Sequence, residues 1–201
     1  MNKSSNRPRT ARVYGTIGAV AALAFMPSFL VDMSKNDAPG IIGGIGVIIG
    51  MLGLAALAFG YRRAGAHGTS RVGSAGLLVL AIGMLVELSS VLLGAIGVVK
   101  EDDNLLSPLG GLLILVGGIV AGVSIARARV LDGWRRWAPL VQGIAYALVM
   151  ATIILAGSHP SAAVDALGLI WPLSALGTAL ALRTNADRFT TEHPLATVPA
   201  T

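Results

Sequence analysis

Glu87 is the residue of this sequence that most clearly suggests chemistry. It lies in the stretch LVELSSVLL, within an apolar run from residue 72 to residue 99 that holds no other charge. A charge at the centre of a bilayer costs about 3 kcal/mol on insertion scales, and ionisable groups at that depth often belong to proton relays or ion pathways. We therefore treat Glu87 as the first candidate for a functional residue.

The position of Glu87 predicts its protonation state. It is 16 residues from Arg71 and 13 from Lys100, which corresponds to about 24 and 20 Å along a helix. At that distance from either end we expect the carboxyl group to be mostly protonated, because burial disfavours the charged form. A protonated carboxyl group donates one hydrogen bond and accepts others. Candidate partners at compatible depth are Ser90, Tyr146, Thr152 and Ser174.

Two hypotheses follow for this carboxyl group. In one, Glu87 binds a proton or cation in a small transporter or proton-coupled permease. In the other, it is a neutral polar contact between helices of a non-enzymatic accessory or partner-binding subunit. A proton relay usually contains several ionisable groups, whereas the middle of the predicted spans holds one carboxyl group. The sequence therefore favours the polar contact.

The elements that must hold Glu87 are membrane helices. The chain has 201 residues, of which 54% are hydrophobic and 12% charged, against about 25% charged in soluble domains. About 20 apolar residues cross a hydrocarbon core. Six stretches qualify, and they predict an all-α, six-helix membrane bundle: 13–31, 40–60, 72–99, 105–126, 138–157 and 164–182. Residues 1–12 and 184–201 are predicted to be cytoplasmic tails, the second one disordered.

Charge distribution predicts the orientation of the chain. Thirteen of the 15 basic residues fall in the N-terminal tail, the second and fourth loops and the C-terminal tail. Cytoplasmic loops retain Lys and Arg, so we expect a bacterial plasma-membrane protein with both termini inside. The net charge of +5 then reflects topology and not nucleic-acid binding. The expected partners are the bilayer and either another membrane protein or a second copy of the chain.

Small residues predict how the helices pack. Gly43, Gly46 and Gly50 form one stripe, since residues three and four apart share a helix face. Membrane helices associate where such residues let backbones approach closely. Gly76 and Gly83 lie on the same side of their helix as Glu87. The carboxyl group is therefore predicted to face neighbouring helices and not lipid.

Three further features of the sequence suggest local structure or a site. Pro172 predicts a kink midway along the sixth span, because proline removes a backbone hydrogen bond and clashes with the carbonyl of Gly168. In GWRRWAPL, the rings of Trp134 and Trp137 are predicted to anchor the inner membrane interface, as Tyr61 is, although a partner-docking or lipid-binding loop is the alternative. The acidic run KEDD (100–103) is explained by charge bias in outer loops as well as by cation binding.

Enzymatic motifs were not found. The sequence has no cysteine, no HExxH, no GxSxG and no P-loop, and its three histidines fall in loops or the tail. We therefore predict neither enzymatic activity, nor a cofactor, nor a metal site.

The segment VLDGWRRWAPLVQGIAY (130–146) resembles a feature of small, uncharacterised six-span membrane proteins of GC-rich bacteria. The resemblance covers about 20 residues. It implies a six-span membrane fold and, because such proteins have no assigned activity, no functional residue.

Overall fold

The structure, a computed structural model, describes residues 6–32, 40–98, 104–156 and 167–189. These residues contain helices and turns and no strand. The six long helices are α1 (Arg7–Asp32), α2 (Gly40–Ala64), α3 (Arg71–Ala95), α4 (Leu106–Ala128), α5 (Ala138–Ala156) and α6 (Ile170–Thr184). Two short 3-10 helices, Gly133–Arg136 and Ala186–Phe189, precede α5 and follow α6.

The six helices form a ring in sequence order. Each helix packs against the next one along the chain, and α6 returns to pack against α1. Apolar side chains fill the middle of the ring, among them the fully buried Met84, Ile114 and Leu182. Trp171 closes this core, with its ring 5.2 Å from Phe25 and 4.9 Å from Tyr146 between centroids. The arrangement explains why consecutive apolar stretches suffice to build the fold.

Glycines permit a close approach of α3 and α4. A Cβ on Gly76 would lie 2.9 Å from the backbone nitrogen of Ala121, and one on Gly83 would lie 2.7 Å from that of Ile114. The stripe on α2 serves α1 instead, since a Cβ on Gly46 would lie 2.6 Å from the carbonyl oxygen of Ala24. Backbones at this distance leave no room for a side chain, so these positions require glycine.

One end of the ring collects the positive charge, and we call it the basic end. It contains the start of α1, the α2–α3 turn, the α4–α5 segment and the end of α6, with all twelve arginines of the chain. Arg12 Nη2 lies 2.5 Å from Asp187 Oδ1, and Arg188 Nη2 lies 2.5 Å from Asp132 Oδ2. Both ion pairs join segments that are far apart in sequence: the first links α1 to the segment after α6, and the second links that segment to the one between α4 and α5.

The outer surface of the ring is apolar. Large hydrophobic side chains such as Val20, Leu52, Leu112 and Leu148 are about half exposed, whereas a soluble monomer rarely exposes contiguous apolar patches of more than a few hundred Å². Within the part of the chain that the structure describes, four helices are long and apolar enough to cross a membrane: Gly43–Ala64, Arg71–Ala95, Leu106–Ala128 and Ala138–Leu155. The composition and this surface together indicate a membrane-embedded protein.

Several predicted boundaries differ from the structure. Helix α1 begins at Arg7, so half of the predicted N-terminal tail is helical, and Ala11 within it is fully buried. After α6, Ala186 and Phe189 are buried in a 3-10 helix, although residues 184–201 were predicted to be a disordered tail. Both segments hold small or apolar side chains that pack at the basic end. Residues 1–5 and 190–201 lie outside the described residues.

Candidate functional site

Glu87 lies in a crevice at the end of the ring opposite the basic end. We call this the Glu87 crevice; it has a volume of about 590 Å³ and is lined by Glu87, Ser90, Val91, Gly94, Ala95, Asn104 and Ser107. The crevice lies between the last turns of α3 and the first turn of α4. Small side chains at the end of α3 leave it open, since a Cβ on Gly94 would have no neighbour within 4 Å among the described residues.

The carboxyl group joins α3 to α4. Ser107 Oγ donates a hydrogen bond of 3.0 Å to Glu87 Oε1. Glu87 Oε2 is buried against Gly110, whose Cβ, if present, would lie 2.7 Å away, and this oxygen has no hydrogen-bond partner among the described residues. A buried oxygen without a hydrogen-bond partner costs about 1–3 kcal/mol. A ligand that bonds to this atom would therefore recover that free energy.

Asn104 organises the neighbouring part of the crevice. Its Nδ2 donates 2.7 Å to Ser90 Oγ, while its Oδ1 accepts 3.2 Å from the backbone nitrogen of Leu106 at the start of α4. The side chain therefore caps one helix and bonds to the other. Ser90 itself is buried. The crevice thus offers one carboxyl group, two hydroxyls and one amide, and no basic side chain among its described lining residues.

The structure places Glu87 nearer to the C-terminal end of its helix than the predicted span 72–99 implied. Helix α3 ends at Ala95 and not near residue 99, so Glu87 is eight residues from the end, or about 12 Å. Gly97, with φ +72°, turns the chain immediately afterwards. A backbone in that region favours glycine, which accounts for the earlier end of the helix.

The four predicted partners of Glu87 separate in the structure. The Tyr146 hydroxyl lies 3.1 Å from where a Cβ of Gly111 would be, and Gly111 follows the glycine against which Glu87 packs. Ser90 lines the same crevice but bonds to Asn104. Two other hydroxyls bond to carbonyls of their own helices: Thr152 donates to Leu148 and Ser174 to Trp171.

Pro172 lies in the first turn of α6, and not in the middle of a helix. The helical residues Leu167 and Gly168 are followed by a turn at Leu169, and α6 starts at Ile170. Proline is tolerated in a first turn because its missing N–H has no partner to lose there. The predicted kink is therefore replaced by an interruption of the helix three residues before the proline.

Trp134 and Trp137 are exposed at the basic end, at 59% and 46%. Trp134 lies in the 3-10 helix and Trp137 immediately after it. Tyr61, in contrast, is buried inside the ring, where its hydroxyl donates 2.7 Å to the carbonyl of Thr178. The outer acidic run 100–103 lies outside the described residues.

A row of polar side chains lines the interior of the ring. A cavity of about 30 Å³ is bordered by Tyr61, Gln142, Tyr146 and Thr178 together with apolar side chains from α2 to α6. Gln142 and Tyr146 are one turn apart on α5, and Thr178 Oγ1 donates 3.0 Å to the carbonyl of Ala138. A cavity of this size has room for one water molecule, and these four side chains form the polar part of its otherwise apolar lining. These groups follow one another from the vicinity of Glu87 towards the basic end.

Three polar residues of these sites, Ser107, Asn104 and Gln142, were not predicted from the sequence. Ser107 precedes Pro108 at the start of a span, and Asn104 stands just before that span; both are ordinary features of helix starts. Only the pairing of α3 with α4 as a hairpin, with short polar residues at the turn, would have indicated that they meet Glu87.

The chemistry available at the site is proton exchange and hydrogen bonding. The described residues contain no group of three His, Cys, Asp or Glu side chains that could hold a metal. No family model, curated protein or solved structure matches this chain.

Proposed function

We propose that the chain is a six-span protein of the bacterial plasma membrane with both termini in the cytoplasm. Helices α1 and α6 support six crossings, because they complete the ring formed by the four long apolar helices. The concentration of arginines at the basic end supports the orientation, since cytoplasmic loops retain basic residues.

Cysteine labelling tests the orientation in this cysteine-free chain. Val98 is exposed at the Glu87 end, whereas Thr69 and Asp187 are exposed at the basic end. With a membrane-impermeant maleimide on intact cells, Val98→Cys labels at once, and Thr69→Cys and Asp187→Cys label only after permeabilisation. Buried positions such as Ala66 would remain unlabelled on either side. Labelling of Thr69→Cys in intact cells would show that the basic end faces outwards, opposite to the proposed orientation.

Within that topology, we propose that the protein is a non-enzymatic subunit that binds a membrane partner at the Glu87 crevice. The carrying observation is Glu87 Oε2, which is buried without a described partner beside an open, polar-lined crevice. A partner that extends a hydrogen-bond acceptor into the crevice satisfies this atom, because a protonated carboxyl group donates one hydrogen bond. The carboxyl group remains a polar contact between α3 and α4, held by Ser107.

Filling the crevice tests the docking proposal. Gly94→Phe places a ring in the crevice, and its Cβ meets no neighbour within 4 Å in the described ranges. Gly177→Phe is the matched control, because Gly177 also lies in a helix and a Cβ there has no described neighbour within 4 Å. We expect the native assembly, followed by native gel electrophoresis of gently solubilised membranes, to be lost only in Gly94→Phe. A wild-type chain that migrates as a monomer, or an assembly retained in Gly94→Phe, would refute the proposal.

A proton-coupled permease is the second proposal, and the row of interior polar groups favours it. Tyr146, Gln142 and Thr178 continue from Glu87 towards the basic end around a cavity large enough for water. In this mechanism Glu87 takes a proton at the crevice and releases it towards the interior groups. A transporter of this type would need the carboxyl group to titrate.

One substitution separates the two proposals. Glu87→Gln retains the hydrogen bond from Ser107 because its amide oxygen also accepts, but it does not titrate. The docking proposal predicts that Glu87→Gln complements a deletion strain as well as the wild type does and keeps the native assembly. The permease proposal predicts loss of complementation with the assembly unchanged.

A further inference from the structure

A second pocket lies at the basic end, where α4 and α5 meet. We call it the arginine pocket; it has a volume of about 420 Å³ and is lined by Val123, Ala126, Arg127, Arg129, Arg136, Trp137 and Leu140. It is at the opposite end of the ring from the Glu87 crevice. Neither the docking nor the permease proposal uses it.

The arginine pocket carries positive charge that no described carboxylate of its lining balances. Its lining includes three arginines and no acidic residue. Asp132, in the adjoining segment, is paired with Arg188. The guanidinium carbon of Arg136 lies 5.2 Å from the centre of the Trp137 ring, and Arg136 Nε is buried without a hydrogen-bond partner among the described residues. The pocket therefore presents donors to an anion.

The backbone at Arg129 supports a binding role for this side chain. Arg129 follows the last residue of α4 and has φ 53°, and it is the one non-glycine residue of the described chain with positive φ. Glycine ordinarily occupies this position after a helix because it has no Cβ to clash. The chain thus places an arginine where a glycine would be less strained, and that arginine lines the pocket.

The pocket has a charged part at the helix ends and an apolar part further along the helices. Val123 and Leu140 lie within α4 and α5, and the arginines lie at or beyond the helix ends. Both helices are long and apolar enough to cross a membrane, so the arginines fall at headgroup depth and the apolar side chains fall at the start of the acyl region. This order of groups matches a phospholipid: phosphate among the arginines, chain against the apolar floor.

We propose that the arginine pocket is a specific site for the headgroup of an anionic phospholipid. Basic pockets between membrane helices on the cytoplasmic side bind such headgroups. The three guanidinium groups donate hydrogen bonds to the phosphate oxygens, and Trp137 borders the headgroup through its exposed ring. The lipid joins the end of α4 to the start of α5 across the segment between them.

Lipid binding to the purified full-length chain tests this proposal. Phosphatidylglycerol and phosphatidylcholine are titrated separately in a neutral detergent, and bound lipids are counted by native mass spectrometry. We expect retained phosphatidylglycerol and no retained phosphatidylcholine. The double variant Arg129→Gln/Arg136→Gln should bind phosphatidylglycerol about 25-fold more weakly, or about fivefold for each arginine. The control Arg63→Gln/Arg71→Gln removes the same charge from exposed positions at the same end and should stay within about twofold.

A second variant separates lipid binding from folding. Arg129→Gly relieves the positive φ, so the protein should be as thermally stable as the wild type or more so, while phosphatidylglycerol binding falls about fivefold. Equal retention of the two lipids would contradict the proposal. So would a loss of phosphatidylglycerol binding in Arg63→Gln/Arg71→Gln as large as that in Arg129→Gln/Arg136→Gln. If millimolar inorganic phosphate displaced the lipid, the pocket would be a phosphate site and not a lipid site. If Arg129→Gly lost a bound protein partner while lipid binding stayed unchanged, the pocket would be a protein-binding site.

Discussion

Replacement of Gly117 by alanine tests the close contact of α3 with α4. A Cβ on Gly117 would meet the backbone nitrogen of Leu80, lie 2.8 Å from its Cα and lie 2.9 Å from the carbonyl oxygen of Gly76. Carbon contacts are favourable at about 3.5–4.0 Å, so the two helices must separate by about 1 Å. All three neighbours are backbone atoms of a helix, which cannot rotate away as a side chain can.

The expected free-energy change follows from two opposing effects. Overpacking of a well-packed interface costs about 1–3 kcal/mol, and backbone neighbours place this case near the upper value. Alanine is preferred to glycine in a helix by about 1 kcal/mol. The net destabilisation of Gly117→Ala is therefore about 2 kcal/mol. Gly177→Ala is the matched control, since a Cβ there has no neighbour within 4 Å, and it should not lose stability.

The assay is an unfolding titration with sodium dodecyl sulfate in mixed micelles. Trp171 reports on the core, because it is 4% exposed and packs against Phe25 and Tyr146. The free energy of unfolding should rank Gly177→Ala at or above the wild type, and Gly117→Ala below both. If Gly117→Ala were as stable as Gly177→Ala, the close approach of α3 to α4 would not exist as described.

Three other substitutions have defined outcomes in the same titration. Tyr61→Phe removes a buried 2.7 Å hydrogen bond and should cost about 1 kcal/mol; an unchanged free energy of unfolding would show that the hydroxyl is not bonded in the bilayer. Gly110→Ala brings a Cβ within 2.8 Å of the backbone nitrogen of Glu87 and should cost about 1–3 kcal/mol, unless α3 and α4 are further apart than described. Arg12→Gln breaks the ion pair with Asp187; the two side chains are 61% and 79% exposed, so the free energy of unfolding should change by less than about 1 kcal/mol. A larger loss would show that the pair is shielded from water.

The features that could be predicted from the sequence depend on helix periodicity. The apolar runs predicted all-helical structure, because the energetic penalty for unpaired backbone groups in lipid leaves few alternatives. The four-residue step from Gly83 to Glu87 predicted that the carboxyl group shares the packing face of α3, since each residue turns the helix by about 100°. Both conclusions use only positions along one helix.

The features that the sequence left open depend on how one helix is placed against another. Ser107 meets Glu87 because the turn between α3 and α4 sets the relative register of the two helices, and a one-residue shift would present a different side chain. A tyrosine hydroxyl can lie at a membrane interface or donate a hydrogen bond to another helix. The sequence therefore could not predict that Tyr61 is buried and bonded to α6. Composition and spacing also did not mark Ala95 as the end of α3.

The closing contact between α6 and α1 makes the two chain ends interdependent. Five of the six helix pairs join successive helices and can form as the chain emerges, but the seam at Gly15 and Arg183 waits for the last helix. Until then the inward face of α1 has no neighbour on that side. A truncated chain that ends before Ile170 would therefore remain an open arc, and co-expression of the missing segment as a separate peptide should restore its resistance to proteolysis.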